Sequence, residues 1–160
     1  MITVDLPDRL LDRLRSVSPQ LKIRLHPTGE ASEIPEEQLA EVEILYTRRA
    51  LPEPEQVPNL RWIQFHWSGI DPFVENSLLR SEVMVTTLSG AAVPQMAEFA
   101  LTMMMAAGHH LPEMIEHRRN KSWAEDRFTR FRPLELRGNT VGIVGYGSIG
   151  REIARLCVAF

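Results

Sequence analysis

Gly145, Gly147 and Gly150 stand at G-x-G-x-x-G spacing inside Val141-Gly-Ile-Val-Gly-Tyr-Gly-Ser-Ile-Gly150. That spacing handles phosphate without side chains. The first glycine permits a tight turn, the second lets a pyrophosphate approach the main chain, and the third lets a helix pack closely. The pattern needs a strand before it and a helix after it. Val141, Ile143 and Val144 form a short apolar run, as in a central parallel strand covered on both faces. A helix starting near Ser148 buries Ile149, Ile153, Leu156 or Cys157, and Phe160, and turns Arg151, Glu152 and Arg155 to water. Its free N–H groups and positive dipole end would point at a phosphate. The plainer reading, a tight turn without a ligand, is disfavoured by this context. A G-x-S-x-G nucleophile elbow is excluded, because Tyr146 occupies its first glycine position.

A second anion site is legible upstream. Trp62–Phe65 reads as a strand, followed by His66-Trp-Ser-Gly-Ile-Asp71. Ser68, Gly69 and Ile70 can aim consecutive backbone N–H groups at a carboxylate, although a plain strand-to-helix turn has the same spacing. Thr47-Arg48-Arg49 ends another strand, Val42–Tyr46. Ligands of open parallel sheets sit at these carboxyl ends.

Two further constellations carry less. His110, Glu113 and His117 share a helical face, but no zinc-protease spacing is matched and Pro112 disturbs the register, so no metal ligand is assigned. Residues 118–137 collect Arg118, Arg119, Lys121, Arg127, Arg130, Arg132 and Arg137 among Trp123, Phe128 and Phe131. Glu125, Asp126 and Glu135 dilute the charge, so a surface connection anchored by its aromatics is favoured over a nucleic-acid strip.

The elements that must position these groups follow from periodicity. Ile2–Val4 is a short strand, Pro7–Val17 a helix, Leu21–Leu25 an alternating strand, Pro27–Pro35 a loop, Glu36–Ala40 a short helix and Val83–Thr86 a strand. Asp71-Pro72 has the form of an N-cap with proline at the first helical position. Strands and short helices alternating through residue 88 predict a mostly parallel α/β sheet. A long helix begins near Pro94. Met96, Phe99, Ala100, Met103 and Ala107 form one stripe, and Leu101, Met104 and Met105 fill other sides. A helix apolar nearly all round is expected to be buried all round, and Pro112 kinks or restarts it before about Lys121.

The whole chain has 160 residues, 44% of them hydrophobic, and a net charge of −3. It can bury a core and carries no general attraction for nucleic acid or acidic membranes. Cys157 is the only cysteine, so no disulfide forms within the chain. No signal sequence or bilayer-length apolar run is present, which makes a cytoplasmic location the expectation.

Three segments resemble the D-isomer-specific 2-hydroxyacid dehydrogenases. They are Leu60–Asp71, Gly90–Leu101 and Leu136–Ala154, which resemble the substrate loop, the start of the interdomain helix and the nucleotide-binding entry. The resemblance implies an α/β chain with a flavodoxin-like parallel-sheet substrate domain, a long interdomain helix, and the first βα unit of a Rossmann domain. The corresponding divisions are 1–90, 91–121 and 122–160. It implies hydride transfer between NAD or NADP and a small 2-oxo or 2-hydroxy acid. Ser68, Gly69 and Ile70 would bind the substrate carboxylate, with Arg48 or Arg49 at the cleft mouth. Met96 would pack near the nicotinamide. Gly145, Tyr146, Gly147, Ser148, Ile149 and Gly150 would cradle the pyrophosphate. Ser89-Gly90 would be a hinge, and the helix at 94–121 would build a homodimer. The resemblance spans about the first half of a family member. The family's catalytic arginine, glutamate and histidine fall beyond Phe160, so no catalytic residue carries over. The expectation is that these residues alone do not turn over, and that the strand at 141–144 lacks neighbours unless another subunit supplies them. A non-catalytic dimerising or partner-binding module is the alternative.

Overall fold

The computed structural model describes residues 1–159; Phe160, expected on the buried side of the last helix, lies outside the described residues. The chain divides into two compact units, Met1–Ser89 and Gly90–Phe160. Gly90, at the boundary, has φ of +92°, a backbone state that side chains disfavour.

In the first unit, helix α1 (Asp8–Arg15) and the short α2 (Glu36–Leu39) accompany strands β1 (Ile44–Thr47), β2 (Trp62–Phe65) and β3 (Met84–Thr86). The strands pair in parallel in the order β1-β2-β3, with Thr47 opposite Phe65 and Ile63 opposite Val85. Alternation decides the faces: Leu45 and Thr47 on β1, and Ile63 and Phe65 on β2, are completely buried. Leu39, Val42, Val57, Leu60 and Leu78 close over them, and Phe73 stacks on Phe65 with ring centroids 5.4 Å apart. Each such aliphatic or aromatic burial contributes about 1.5–3 kcal/mol. Thr47 is tolerated here because its hydroxyl accepts from Thr3 Oγ1 at 2.7 Å and donates to the Ala50 carbonyl at 3.3 Å. On the other face, Leu11 of α1 packs with Ile2 and Val4, and Tyr46 lies against them.

Ile2 bridges in parallel to Leu25 on one side and Tyr46 on the other. The Met1 ammonium donates to the Ile44 carbonyl at 2.7 Å, and burial lowers its pKa. The expected strands at 2–4 and 21–25 thus shrink to single bridges. Charged residues alternating through 21–25 leave too little apolar surface to hold a longer ladder. Asp71 does not cap a helix; it opens the single 3-10 turn Asp71–Phe73, with Ile70 before it.

The second unit contains α3 (Val93–Gly108), α4 (Leu111–Arg119), the single turn α5 (Arg127–Arg130) and α6 (Ser148–Cys157). The predicted long helix breaks at His110, whose φ is +53°, and restarts with Pro112 in the first turn of α4. α3 packs against α6 and α4. It is not buried all round within the unit. Ala97, Leu101 and Gly108 are the buried positions, while Met96, Phe99 and Met103 of the expected stripe are exposed. Gly108 admits a close crossing: Leu134 N–H donates to its carbonyl at 2.8 Å, and a Cβ there would stand 3.3 Å from the Leu134 oxygen.

Three further expectations are corrected. Residues 141–144 form no strand. Their backbone makes no ladder hydrogen bond and Val144 is fully exposed, because a strand exists only against a neighbour. The βα unit is therefore a loop followed by a helix. In α6, Ile149 is exposed and Ile153, Leu156 and Cys157 are only partly covered. Trp123 and Phe128 are not anchors either, being about four-fifths exposed (79% and 81%). Their rings carry only the Arg127 guanidinium, 5.3 and 4.6 Å from the respective centroids, whereas Phe131 is half-buried and edge-on to His117 at 5.3 Å.

Candidate functional site

The groups best suited to ligands are backbone donors without acceptors. In the first unit, β2 ends at Phe65, His66 N–H donates to the Thr47 carbonyl at 2.7 Å, and the chain turns. Leu88 N–H donates to the Trp67 carbonyl at 2.8 Å and Ser68 Oγ to the Leu88 carbonyl at 3.3 Å, which ties the turn to the segment after β3. Between these ties, the N–H groups of Ser68, Gly69 and Ile70 have no acceptor among the described residues. Ser68 and Gly69 are exposed and Ile70 half-buried. Three consecutive free N–H groups at a strand's carboxyl end are donors of the kind an anion accepts from. Asp71 Oδ2 lies 3.1 Å from where a Gly69 side chain would begin, so a side chain there would push the Asp71 carboxylate aside by a few tenths of an ångström.

The two arginines beyond β1 differ. Arg49 Nη2 lies 3.5 Å from Glu30 Oε1. Arg48 lies over Trp67, its guanidinium carbon 5.0 Å from the ring centroid. Between β1 and β2, Tyr46 Oη is 2.5 Å from His66 Nδ1, with the rings edge to face. Burial raises the Tyr46 pKa, so the phenol keeps its proton, and the tautomer of the imidazole sets which of Oη and Nδ1 donates. The Tyr46–His66 pair and the Arg48–Trp67 stack escaped the sequence reading. Each joins residues about twenty apart, and only the parallel register reveals them: Tyr46 faces Gln64, so His66 stands diagonal to it.

In the second unit, the glycines separate by role. Gly145 has φ of +91°. A Cβ on Gly150 would lie 2.2 Å from the Gly145 carbonyl oxygen, so the helix can approach the turn only through a bare position. Around Gly147 a Cβ would meet nothing within 4 Å, leaving room for a ligand against the main chain. Gly147 caps α6 with extended backbone and no side-chain bond, and no acidic residue occupies the first turn. The N–H groups of Ser148, Ile149 and Gly150 have no protein acceptor among the described residues, whereas Arg151 N–H already donates to Gly147 at 3.0 Å. Free donors and the positive helix end suit a phosphate. Farther along α6, hydrogen bonds from Arg155 hold the Glu152 carboxyl below its usual pKa.

Met96 is 46% exposed on α3, available to a flat apolar ligand. His110 Nε2 meets the Arg132 carbonyl at 3.1 Å and His117 Nδ1 meets Ser122 Oγ at 2.9 Å. Both imidazoles thus have roles in holding the α3–α5 connections. Among the described residues, no helix is long and apolar enough to cross a membrane.

Comparison with known proteins is consistent with this geometry. Residues 101–160 match the family model for the D-isomer specific 2-hydroxyacid dehydrogenase NAD binding domain. The hydroxypyruvate reductase of Thermotoga maritima is 28% identical over 126 residues, covering 76% of this chain and 40% of the reductase. A D-lactate dehydrogenase from Aquifex aeolicus, solved with NAD and lactic acid, superposes with a TM-score of 0.71 at 21% identity. That match covers 99% of this chain and 47% of the enzyme. A D-isomer specific 2-hydroxyacid dehydrogenase from Xanthobacter autotrophicus, solved with NADPH and MES, gives a TM-score of 0.69 at 22% identity, over 99% of this chain and 51% of that one. The chain therefore spans about half the length of these relatives. The segment that holds the glycine turn thus matches the NAD binding domain of the D-isomer-specific 2-hydroxyacid dehydrogenase family, and the whole chain is similar in fold to these dehydrogenases.

Proposed function

We propose that this chain supplies the two binding cradles of an oxidoreductase that transfers a hydride between NAD or NADP and a small 2-oxo or 2-hydroxy acid. The observation carrying the proposal is the pair of unpartnered donor runs, Ser68–Ile70 at the end of β2 and Ser148–Gly150 at the start of α6. The first would take the acid's carboxylate, assisted by Arg48 and, more weakly, by the Glu30-paired Arg49. The second, with Gly145, Tyr146 and Gly147, would take the cofactor's pyrophosphate. Met96 would lie against the nicotinamide. The cofactor, when bound, supplies or accepts the hydride; the residues here bind and orient. His66 is given no proton-transfer role, since Nδ1 is tied to a tyrosine rather than to an orienting carboxylate. Acid–base catalysis is accordingly not assigned to this chain.

The substrate lobe is read as flavodoxin-like. Counting the bridged segments at Leu25 and Ile2, the parallel order is 2-1-3-4-5, which supports that reading. The division at 1–90, 91–121 and 122–160 belongs to the same proposal, as does a cytoplasmic location. Exposed Phe99, Met103, Leu111 and Met114 favour a homodimer built on α3 and α4.

Fluorescence titration with NADH and NADPH tests the cofactor cradle. Binding that weakens about tenfold or more in Gly147→Val supports it, because the side chain fills the open approach. Equal affinity in both proteins would remove the pyrophosphate assignment. In the same preparation, absorbance at 340 nm with glyoxylate, hydroxypyruvate and pyruvate is expected to stay flat; turnover would show that these residues carry their own general acid.

A further inference from the structure

Free donors serve an anion well only where the backbone already holds them still, because ordering a mobile turn on binding subtracts from affinity. The turn carrying Ser68, Gly69 and Ile70 is held on two sides. Toward β3, the Trp67 carbonyl accepts from Leu88 N–H at 2.8 Å, and Ser68 Oγ donates to the Leu88 carbonyl at 3.3 Å. Toward β1, His66 is fixed twice. Its backbone N–H donates to the Thr47 carbonyl at 2.7 Å, and its Nδ1 shares a hydrogen bond of 2.5 Å with Tyr46 Oη. The two rings meet edge to face, with centroids 5.6 Å apart, and both residues are half-buried. Tyr46 is itself anchored, since it packs against the cluster of Ile2, Val4 and Leu11. Arg48 over Trp67 adds a contact toward β1, but between exposed side chains. Packing alone would fill the space beside β1 without giving it direction. The Tyr46 hydroxyl adds a directed bond at the point where the chain leaves the ladder, one position past the Thr47–Phe65 pair. His66 is thereby pinned through main chain and side chain together, and the first free N–H of the run follows two residues later.

We propose that Tyr46 and His66 are positioning residues for anion binding: their hydroxyl–imidazole bond holds the turn so that the N–H groups of Ser68, Gly69 and Ile70 are presented to one carboxylate. Neither side chain contacts the anion; both act through the backbone that follows. The inference rests on reading Ser68–Ile70 as the seat of the 2-oxo acid carboxylate.

Titration of the 160-residue protein with pyruvate, followed by NMR at the Ser68, Gly69 and Ile70 amides, tests this. In the unaltered protein those three signals are expected to move with pyruvate. Tyr46→Phe keeps the ring and its packing but loses the directed bond, and should weaken binding about three- to tenfold. His66→Leu should do the same. The double variant should bind within about twofold of the weaker single variant, because the same bond is removed only once. His66→Asn can return a polar atom to the place of Nδ1, and should restore affinity to within about twofold of the unaltered protein. A merely space-filling role predicts the reverse, a neutral Tyr46→Phe and no rescue by the smaller asparagine. Circular dichroism identifies a variant that fails to fold; if His66→Leu does, Tyr46→Phe and His66→Asn decide by the same criteria. Unchanged affinity in Tyr46→Phe overturns the proposal, as do fully additive losses in the double variant or asparagine binding no better than leucine. Those outcomes leave the carboxylate reading standing. Absence of any pyruvate shift in the unaltered protein removes that reading and this inference together.

Discussion

In the first unit, Leu45, Thr47, Ile63 and Phe65 of β1 and β2 are completely buried. Among the described residues of the second unit the buried hydrophobic side chains are Ala97 and Leu101, while Phe99, Met103, Trp123 and Phe128 remain exposed. Both units present free backbone donors, yet they hold them by different means. The first relies on side chains filling the space between sheet and helices. The second relies on bare backbone: Gly150 against Gly145, and Gly108 against Leu134. A sheet with both faces addressed stabilises its loops through its own core, whereas helices with uncovered apolar faces depend on whatever covers them.

This contrast can be broken by experiment. The largest expected effect is Phe65→Ala, which leaves a cavity under the β2 turn and should cost about 3–5 kcal/mol in urea denaturation. A loss below about 1 kcal/mol would mean that the first unit is not core-stabilised. Gly150→Ala comes next. Its methyl would meet the Gly145 oxygen at 2.2 Å, so turn or helix must move, at about 1–3 kcal/mol by thermal melting. Unchanged melting and unchanged helix signal would show that the close approach does not form.

A smaller effect tests Tyr46. Burial raises its pKa above the ordinary 10.0, so the folded chain keeps the phenolic proton while the unfolded chain begins to lose it. The resulting stability is fully present below pH 10 and is lost as pH rises through the folded pKa. Urea midpoints should therefore fall more between pH 10 and 11 in the unaltered protein than in Tyr46→Phe; parallel declines would refute the burial argument. The smallest change is expected for Phe128→Ala, within about 0.5 kcal/mol at low protein concentration, because the ring is 81% exposed. A large, concentration-dependent loss would show instead that this ring is covered by a second copy.

The types and order of the main elements were determined locally. Trp62–Phe65 forms the strand its β-prone run predicts, Asp8–Arg15 falls inside the predicted helix, and Pro112 restarts α4. The glycine turn was legible too, since each position has a separate steric reason that spacing alone conveys. Other features required partners that sequence periodicity cannot supply. Residues 141–144 have strand composition but no neighbour to bond, so composition did not become structure. The α3 stripe was read as buried, yet contacts with α6 and the Leu134 segment cover another side. Arg48 and Trp67, and Tyr46 and His66, become neighbours through the β1–β2 register, which aligns residues about twenty apart. By itself, the sequence determined where the backbone is bare and which segments fold as helix or strand, because these depend on a residue and its near neighbours. Only the tertiary structure decided that Tyr46 meets His66 and that Arg48 lies over Trp67, because those contacts depend on strands that the fold brings side by side.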